Sequence, residues 1–117
     1  MLRKILFYRI IVKTENDEIK LYMKGADSEI KKRLSSDTNR KHLASITKCT
    51  DYFSSKGYRT LFVGYKIIPL AIYMEWSEKL RNSELDLEHK AKLVPQCQNE
   101  IEQDITLLGA TIVEDKL

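Results

Sequence analysis

Hydrophobic and polar residues follow a strand-like pattern over two short stretches near the start of the chain. Residues 5–13, ILFYRIIVK, are rich in β-branched and aromatic side chains, and residues 19–24, IKLYMK, alternate apolar with polar or charged positions. The polar residues 14–18, TENDE, lie between them and are typical of a turn. We therefore predict a β-hairpin over residues 5–24 that ends at Lys24.

Two helices are predicted after the hairpin. Residues 26–36, ADSEIKKRLSS, form a short helix that Asp27 can cap. After a polar loop with further capping residues, a longer helix is predicted from about residue 40 to 55, and Gly57 is a natural stop. Its apolar residues recur at helical spacing: Leu43, Ile46, Cys49 or Thr50, and Phe53.

The second half of the chain predicts two strands with a helical block between them. Residues 58–68, YRTLFVGYKII, form the clearest strand, with Leu61, Val63 and Tyr65 on one face and Arg59 near its start. Pro69 closes this strand and suits the first turn of a helix. The final strand covers residues 104–113, DITLLGATIV.

The block from residue 70 to 103 is helical in composition, with one break predicted at residues 82–84, NSE, and another at Pro95. Four of its apolar residues are spaced by seven: Leu80, Leu87, Val94 and Ile101. This spacing is compatible with a coiled coil or with an amphipathic helix pair on a sheet, and Pro95 and the polar positions in between favour the pair. The predicted class is α+β, with a mainly antiparallel sheet and flanking helices.

Composition narrows the functional classes. The 117 residues are 43% hydrophobic and 32% charged, which describes a globular chain that forms one domain or a piece of one, and a net charge of +3 does not demand a nucleic-acid partner. Cys49 and Cys97 form no CxxC pair, so we expect reduced thiols, and we expect His42 and His89 to be surface groups rather than zinc ligands. No apolar stretch is long enough for a membrane span.

Lys24 lies where the hairpin meets the first helix, followed by Gly25. A cation at a strand end, beside a glycine and a helix N-terminus, suits an anionic ligand such as phosphate. It also suits a solvated surface turn, and these residues alone leave both interpretations open.

Three stretches of the chain resemble motifs of one family, in the family's order. KLYMKGADSEI resembles the KGAD motif in the cytoplasmic nucleotide-binding domain of type IV P-type ATPases, the lipid flippases. KGYRTLFVGYKIIPLAIYMEWSEKL resembles that branch's Gly-x-Arg-Thr-Leu strand and Tyr-x-x-Trp helix. IEQDITLLGATIVEDKL is similar to the segment that returns to the phosphorylation domain. The resemblance runs from about residue 10 to the end.

The resemblance implies that residues 1–117 are the C-terminal part of a nucleotide-binding domain, with residues 112–117 leading into a phosphorylation domain. It implies that Lys24, Gly25, Arg59 and Leu61 line an ATP pocket, and that Asp115 and Lys116 match the interdomain hinge. Lys24 can neutralise phosphate while its stem packs on the base, Gly25 permits close backbone approach, and Arg59 can hold two phosphate oxygens. Leu61 could touch the base, although core packing is the stronger expectation for it, and Asp27 is expected to be a cap.

The resemblance also implies what this chain lacks. The phosphorylated aspartate of DKTGT, the TGD and GDGxND motifs, the transmembrane helices and the adenine-stacking phenylalanine are absent, so no catalytic residue is assigned and the isolated chain should be inactive. The parent enzyme would use ATP with Mg²⁺, which no residue of this chain is expected to bind. Its partners would be the phosphorylation and actuator domains, the transmembrane region and, through the parent, a phospholipid. The chain would lie at the cytoplasmic face of a membrane.

One segment departs from the family, and two alternatives remain open. The stretch SSDTNRKHLASITKCTDYFSS is longer than usual before Gly57, and Cys49-Thr50 replace a common His-Leu pair. The basic clusters KKR and RKH raise the alternative of an anionic-surface or nucleic-acid-binding module, although no interleaved aromatic residues accompany them. A truncated, inactive gene product is the other alternative.

Overall fold

A computed structural model of the chain describes residues 7–114, which form an α+β fold around one antiparallel sheet. The strands of this region are β1 (Phe7–Lys13), β2 (Ile19–Gly25), β3 (Arg59–Ile68) and β4 (Thr106–Val113), and they lie in the sheet in that order. Its helices are α1 (Asp27–Lys31), α2 (Arg40–Ser55), α3 (Leu70–Leu85) and α4 (Lys90–Ile101). Neighbouring strands are antiparallel throughout, which confirms the predicted fold class.

The predicted hairpin is confirmed as β1 and β2, with residues 5 and 6 of the prediction lying outside the described residues. Its turn is closed by the Thr14 N–H, which donates to the Glu18 carbonyl at 2.8 Å, and by the Asp17 N–H, which donates to the Thr14 carbonyl at 3.0 Å. Asp17 has a φ of 60°, a left-handed conformation that aspartate tolerates better than most residues.

One face of the sheet carries the core. Alternate residues of β2 point to this face, and Ile19, Leu21 and Met23 are all buried. The core extends into β3, the helices and the start of β4 through Ile30, Phe62, Ile68, Trp76, Cys97, Ile101, Ile105 and Leu107. All four helices therefore contribute to, or pack against, the same side of the sheet, since Leu43 and Ile46 of α2 also contact this cluster. We call this side the core face and the other side the open face.

Helix α2 begins and ends as predicted. The Asn39 side chain accepts hydrogen bonds from the Lys41 and His42 N–H groups at 3.0 and 3.1 Å, which caps the helix. Gly57 follows the helix with a φ of 88°. Thr50 is buried, whereas Cys49 is exposed, so the structure resolves the alternative in favour of Thr50.

Helix α1 differs from its prediction in both its cap and its length. Ala26 occupies the N-cap position and Asp27 is the first helical residue, whose carboxylate accepts from the adjacent Ser28 N–H at 2.8 Å. The helix ends at Lys31 because the following chain pairs with residues near β4 instead. The Ser35 N–H donates to the Ile105 carbonyl at 2.8 Å, and the Ile105 N–H donates to the Arg33 carbonyl at 2.8 Å.

The helical block also differs from prediction at both of its expected breaks. Helix α3 continues through residues 82–84, where Ser83 is buried and its hydroxyl donates to the Lys79 carbonyl at 2.9 Å. The break falls after it, where Asp86 is extended. Pro95 lies inside α4 without ending it.

Packing against α3 stabilises the helix around Pro95. The Trp76 indole N–H donates to the Cys97 carbonyl at 2.7 Å, and both Cys97 and Ile101 are buried. Trp76 is thus a core residue, and the Tyr73 ring centroid lies 6.1 Å from its own. The spaced-by-seven residues form no continuous seam, since Leu87 lies in the turn between the helices and is 90% exposed. The helix-pair interpretation is confirmed.

Candidate functional site

Lys24, Leu61 and Arg59 lie on the open face of the sheet. Lys24 in β2 is the direct antiparallel partner of Val63 in β3, and direct partners share a face. Leu61 and Arg59 are two and four residues before Val63, so their side chains point to the same face. Because Lys24 lies opposite Val63 and four residues of strand span roughly 13 Å, Arg59 lies about 13 Å from Lys24 along the strand direction.

Leu61 does not pack in the core, which corrects the stronger of the two sequence expectations for it. The buried residue next to it is Phe62, 1% exposed, which lies on the core face. Leu61 is half-buried on the open face between the levels of Lys24 and Arg59.

Gly25 lies on the opposite face from Lys24. It is buried, and its partners in the neighbouring strands are Phe7 and Phe62. A side chain at this position would therefore point to the core face. Only the backbone of Gly25 can contact a ligand on the open face.

An aromatic hollow lies beside Lys24 on the open face. This cavity of about 250 Å³ is lined by residues of β1, β2 and β3 that include Tyr8, Ile10, Tyr22, Lys24 and Val63. Tyr8 is the direct partner of Lys24 in β1 and is 66% exposed. The Tyr22 ring stacks on Tyr65, with centroids 6.4 Å apart. The hollow offers a flat apolar surface next to an ammonium group.

Tyr8 and Tyr22 were missed as site residues by the sequence analysis. The signal that could have found Tyr22 is its position two residues before Lys24 in a strand, which places it on the same face. Tyr8 could be found only from the register of the hairpin, which the backbone hydrogen bonds of the Thr14–Glu18 turn set.

The Arg59 end of the open face contains a buried polar group, the Thr111 hydroxyl. Arg59 pairs with Val113 and Leu61 pairs with Thr111 across β3 and β4. The Thr111 hydroxyl oxygen is buried and has no hydrogen-bond partner among the described residues. A buried, unsatisfied hydroxyl costs stability, and because this oxygen is buried it is not accessible to a ligand on the open face.

Other predicted features lie outside this face or outside the described residues. Asp115 and Lys116, for which the resemblance implies a hinge role, lie outside the described residues. Asp27 is held at α1, where its carboxylate is 3.8 Å from the Lys31 ammonium. Among residues 7–114, no group of three or more His, Cys, Asp or Glu side chains is arranged to hold a metal ion. No helix in this range has the length and apolarity required to cross a bilayer.

Comparison with known proteins gives a consistent set of relatives. No protein-family model matches the chain. Phospholipid-transporting ATPase FetA of Mus musculus is 38% identical over 112 residues, and phospholipid-transporting ATPase IC of Homo sapiens is 37% identical over 113 residues. A Schizosaccharomyces pombe phospholipid-transporting ATPase, C4F10.16c, is 37% identical over 114 residues. Each match covers 92% of this chain but only 8–9% of the relative's length.

Proposed function

The chain is homologous to a segment of the phospholipid-transporting ATPases, the type IV P-type ATPases, and we propose that it is an ATP-binding segment of such an enzyme. In this proposal it is the C-terminal part of the nucleotide-binding domain. It presents ATP to a phosphorylation domain, where an aspartate that lies outside this chain accepts the γ-phosphate. The movement of a phospholipid, and the use of Mg²⁺, belong to the parent enzyme.

The common face of Lys24, Leu61 and Arg59 carries the proposal. Leu61 and Arg59 share a face because they are two residues apart in β3. Lys24 comes from another strand and had an even chance of lying on that face, and the β2–β3 register places it there. The face they share is also the one that the helices leave uncovered, so a ligand can reach it. Had Lys24 and Arg59 pointed to opposite faces, no single nucleotide could contact both side chains.

The spacing of these groups suits a nucleotide that lies along β3. The base occupies the hollow of Tyr8 and Tyr22, where aromatic rings can stack on it and the Lys24 stem can pack on its edge. Leu61 lies under the middle of the ligand. The phosphate tail extends toward Arg59, whose planar guanidinium can hold two phosphate oxygens at once.

The Lys24 ammonium attracts the phosphate groups through its charge and does not need a fixed hydrogen-bond geometry. A lysine is a compact charge on a flexible stem, so it can follow phosphate groups as the nucleotide moves. None of the proposed contacts supplies a nucleophile, so the isolated chain binds ATP without hydrolysing it.

Calorimetric titration with ATP tests the proposal. We expect Lys24→Ala to weaken ATP binding by about tenfold, since a charge-assisted contact to phosphate contributes roughly 1.5–3 kcal/mol. Lys20→Ala is the matched control, because Lys20 lies on the same strand and the same face and already pairs with Glu18 at 3.4 Å. Equal losses in both variants, or an unmodified chain that binds no ATP, would contradict the proposal.

A further inference from the structure

An open cleft lies on the other side of the sheet from the candidate nucleotide site. Its volume is about 820 Å³, and it is bounded by the end of α1, the loop of residues 32–39 and one face of α2. The Lys31 ammonium at its edge is 5.6 Å from the ring centroid of Phe62, a core-face residue. A ligand in this cleft would therefore not contact Lys24 or the open face.

Three cationic side chains line the cleft against one acidic side chain. Lys31 belongs to α1, and Arg40 and Lys48 belong to α2, with Asp51 as the acid. Arg40 and Lys48 are eight residues apart on the helix, which places them roughly 12 Å apart along its axis. Lys31 extends from the opposite wall.

The charges of Arg40 and Lys48 are not neutralised by any residue of the range 7–114. Both residues are exposed, and neither side chain makes a hydrogen bond or an ion pair with the part of the chain that the structure describes. The neighbouring basic residues differ, since Lys32 and Arg33 both bind the Glu29 carboxylate, at 3.0 and 3.1 Å. Of the three cations that line the cleft, Arg40 and Lys48 are thus available for a ligand, whereas the Lys31 ammonium also lies 3.8 Å from the Asp27 carboxylate.

The remaining lining residues combine hydroxyl groups with an apolar floor. Ser36 and Thr47 contribute hydroxyl groups for which no partner is found in residues 7–114, and Leu34, Leu43 and Ala44 form the floor. Arginine, lysine and hydroxyl donors together are the groups that proteins use to bind phosphate oxygens. One carboxylate against three cations excludes a cationic ligand on electrostatic grounds.

From this arrangement we propose that the cleft binds a ligand carrying two or more phosphate groups, held by Arg40, Lys48 and Lys31. The separation of the two α2 cations favours several phosphate groups over a single one. The phosphate groups can belong to a free phosphorylated molecule or to a lipid headgroup, and the experiment distinguishes these sources. The site is independent of the proposed ATP site.

Nuclear magnetic resonance of the ¹⁵N-labelled chain tests the proposal, with sodium tripolyphosphate as the soluble probe. We expect saturable amide shifts in residues 34–51, separate from any shifts on the open-face strands. In a double variant, Arg40→Gln with Lys48→Gln, the affinity measured from the cleft shifts should fall by at least about tenfold. Glutamine preserves helix propensity, so this variant should keep the α2 fold.

The matched control removes the same charge elsewhere. Lys41→Gln with Lys92→Gln also removes two positive charges from exposed helical positions, neither of which lines the cleft. A second arm measures cosedimentation with phosphatidylcholine vesicles with and without phosphatidic acid. The proposal is supported if the unmodified chain and the control variant bind in at least one arm and the cleft variant does not. Binding of tripolyphosphate indicates a free phosphorylated molecule, and binding of the phosphatidic acid vesicles indicates a lipid headgroup. No binding in either arm, or equal losses in the two variants, overturns it.

Discussion

Lys24 and Arg59 project from the same face of the sheet, from neighbouring strands, with Leu61 between their two levels. This relationship depends on strand register, since a slip of one residue between β2 and β3 would move Lys24 to the opposite face from Arg59. The register is fixed by the core, because Leu21 and Met23 of β2 must remain on the buried side with Phe62 and Ile68. The stability of the core therefore determines the geometry of the candidate site.

Removal of the Arg59 guanidinium should weaken the binding of ligands that carry phosphate groups. We expect Arg59→Ala to weaken ATP and ADP binding by about tenfold to a hundredfold and adenosine binding hardly at all, because charge-assisted bonds to phosphate contribute roughly 1.5–3 kcal/mol. Titration of the three ligands into the variant measures this. Arg81→Ala, at an exposed position of α3, is the control for lost charge. Equal losses for all three ligands would argue against a phosphate role.

Removal of the Tyr8 ring should weaken the binding of ligands that carry the adenine base. We expect Tyr8→Ala to weaken ATP and adenosine by similar factors, about tenfold, while binding of tripolyphosphate stays unchanged, since stacking of a base on an aromatic ring contributes roughly 1–3 kcal/mol. Tyr52→Ala provides the control, because Tyr52 is a 59% exposed tyrosine of α2, away from the open face. A variant that binds adenosine as well as the unmodified chain does would rule out Tyr8 as the base platform.

The sequence predicted the fold well where local patterns decide it. The hairpin followed from alternation and a polar turn, and α2 from periodic apolar residues between a capping segment and Gly57. The errors arose where tertiary contacts override local preference. The pairing of residues 33–35 with Ile105 ends α1 early, and the Trp76 bond to the Cys97 carbonyl stabilises the helix that Pro95 was expected to break.

The candidate site was harder to predict than the fold. Local pattern left Lys24 ambiguous between a ligand contact and a surface turn, and only the family resemblance selected it together with Arg59. Their shared face depends on pairing between strands that α1 and α2 separate in sequence, which periodicity does not determine. The cleft likewise could not be predicted from the sequence, because it exists only when α1 and α2 pack at a particular separation.

Lys66 should make stability depend on pH in the alkaline range. It is half-buried on the core face, where burial lowers the pKa of its ammonium below the ordinary 10.5, partly opposed by the Asp104 carboxylate. The folded state therefore binds this proton less tightly than the unfolded state does. Stability is reduced at pH values below the folded pKa and increases as the pH rises from there toward 10.5.

We accordingly expect Lys66→Met to be more stable than the unmodified chain at neutral pH, with the difference shrinking as the pH is raised. Urea unfolding at a series of pH values up to about 10 measures this. Lys92→Met, at an exposed position of α4, should show no such trend. A Lys66 variant that loses stability at neutral pH would show that its charge is favourable in the fold.

Gly64 and Gly109 should respond in opposite ways to an added methyl group. A Cβ at Gly64 would lie within van der Waals overlap of the Ile105 Cγ2 atom and 3.2 Å from the Thr106 carbonyl oxygen. Ile105 is fully buried, and its backbone is held by hydrogen bonds to Arg33 and Ser35, so it cannot move away easily. We expect Gly64→Ala to destabilise the fold by about 1–3 kcal/mol, the usual cost of overpacking a core.

Gly109 provides the matched comparison, because it lies in the adjacent strand and a Cβ there meets no atom within 4 Å. Gly109→Ala should be neutral or stabilising by up to about 1 kcal/mol, since alanine reduces the conformational freedom of the unfolded chain. Urea unfolding of both variants compares the two free energies. A Gly64→Ala protein as stable as Gly109→Ala would mean that the Ile105 side chain can move away from the added methyl group without loss of stability.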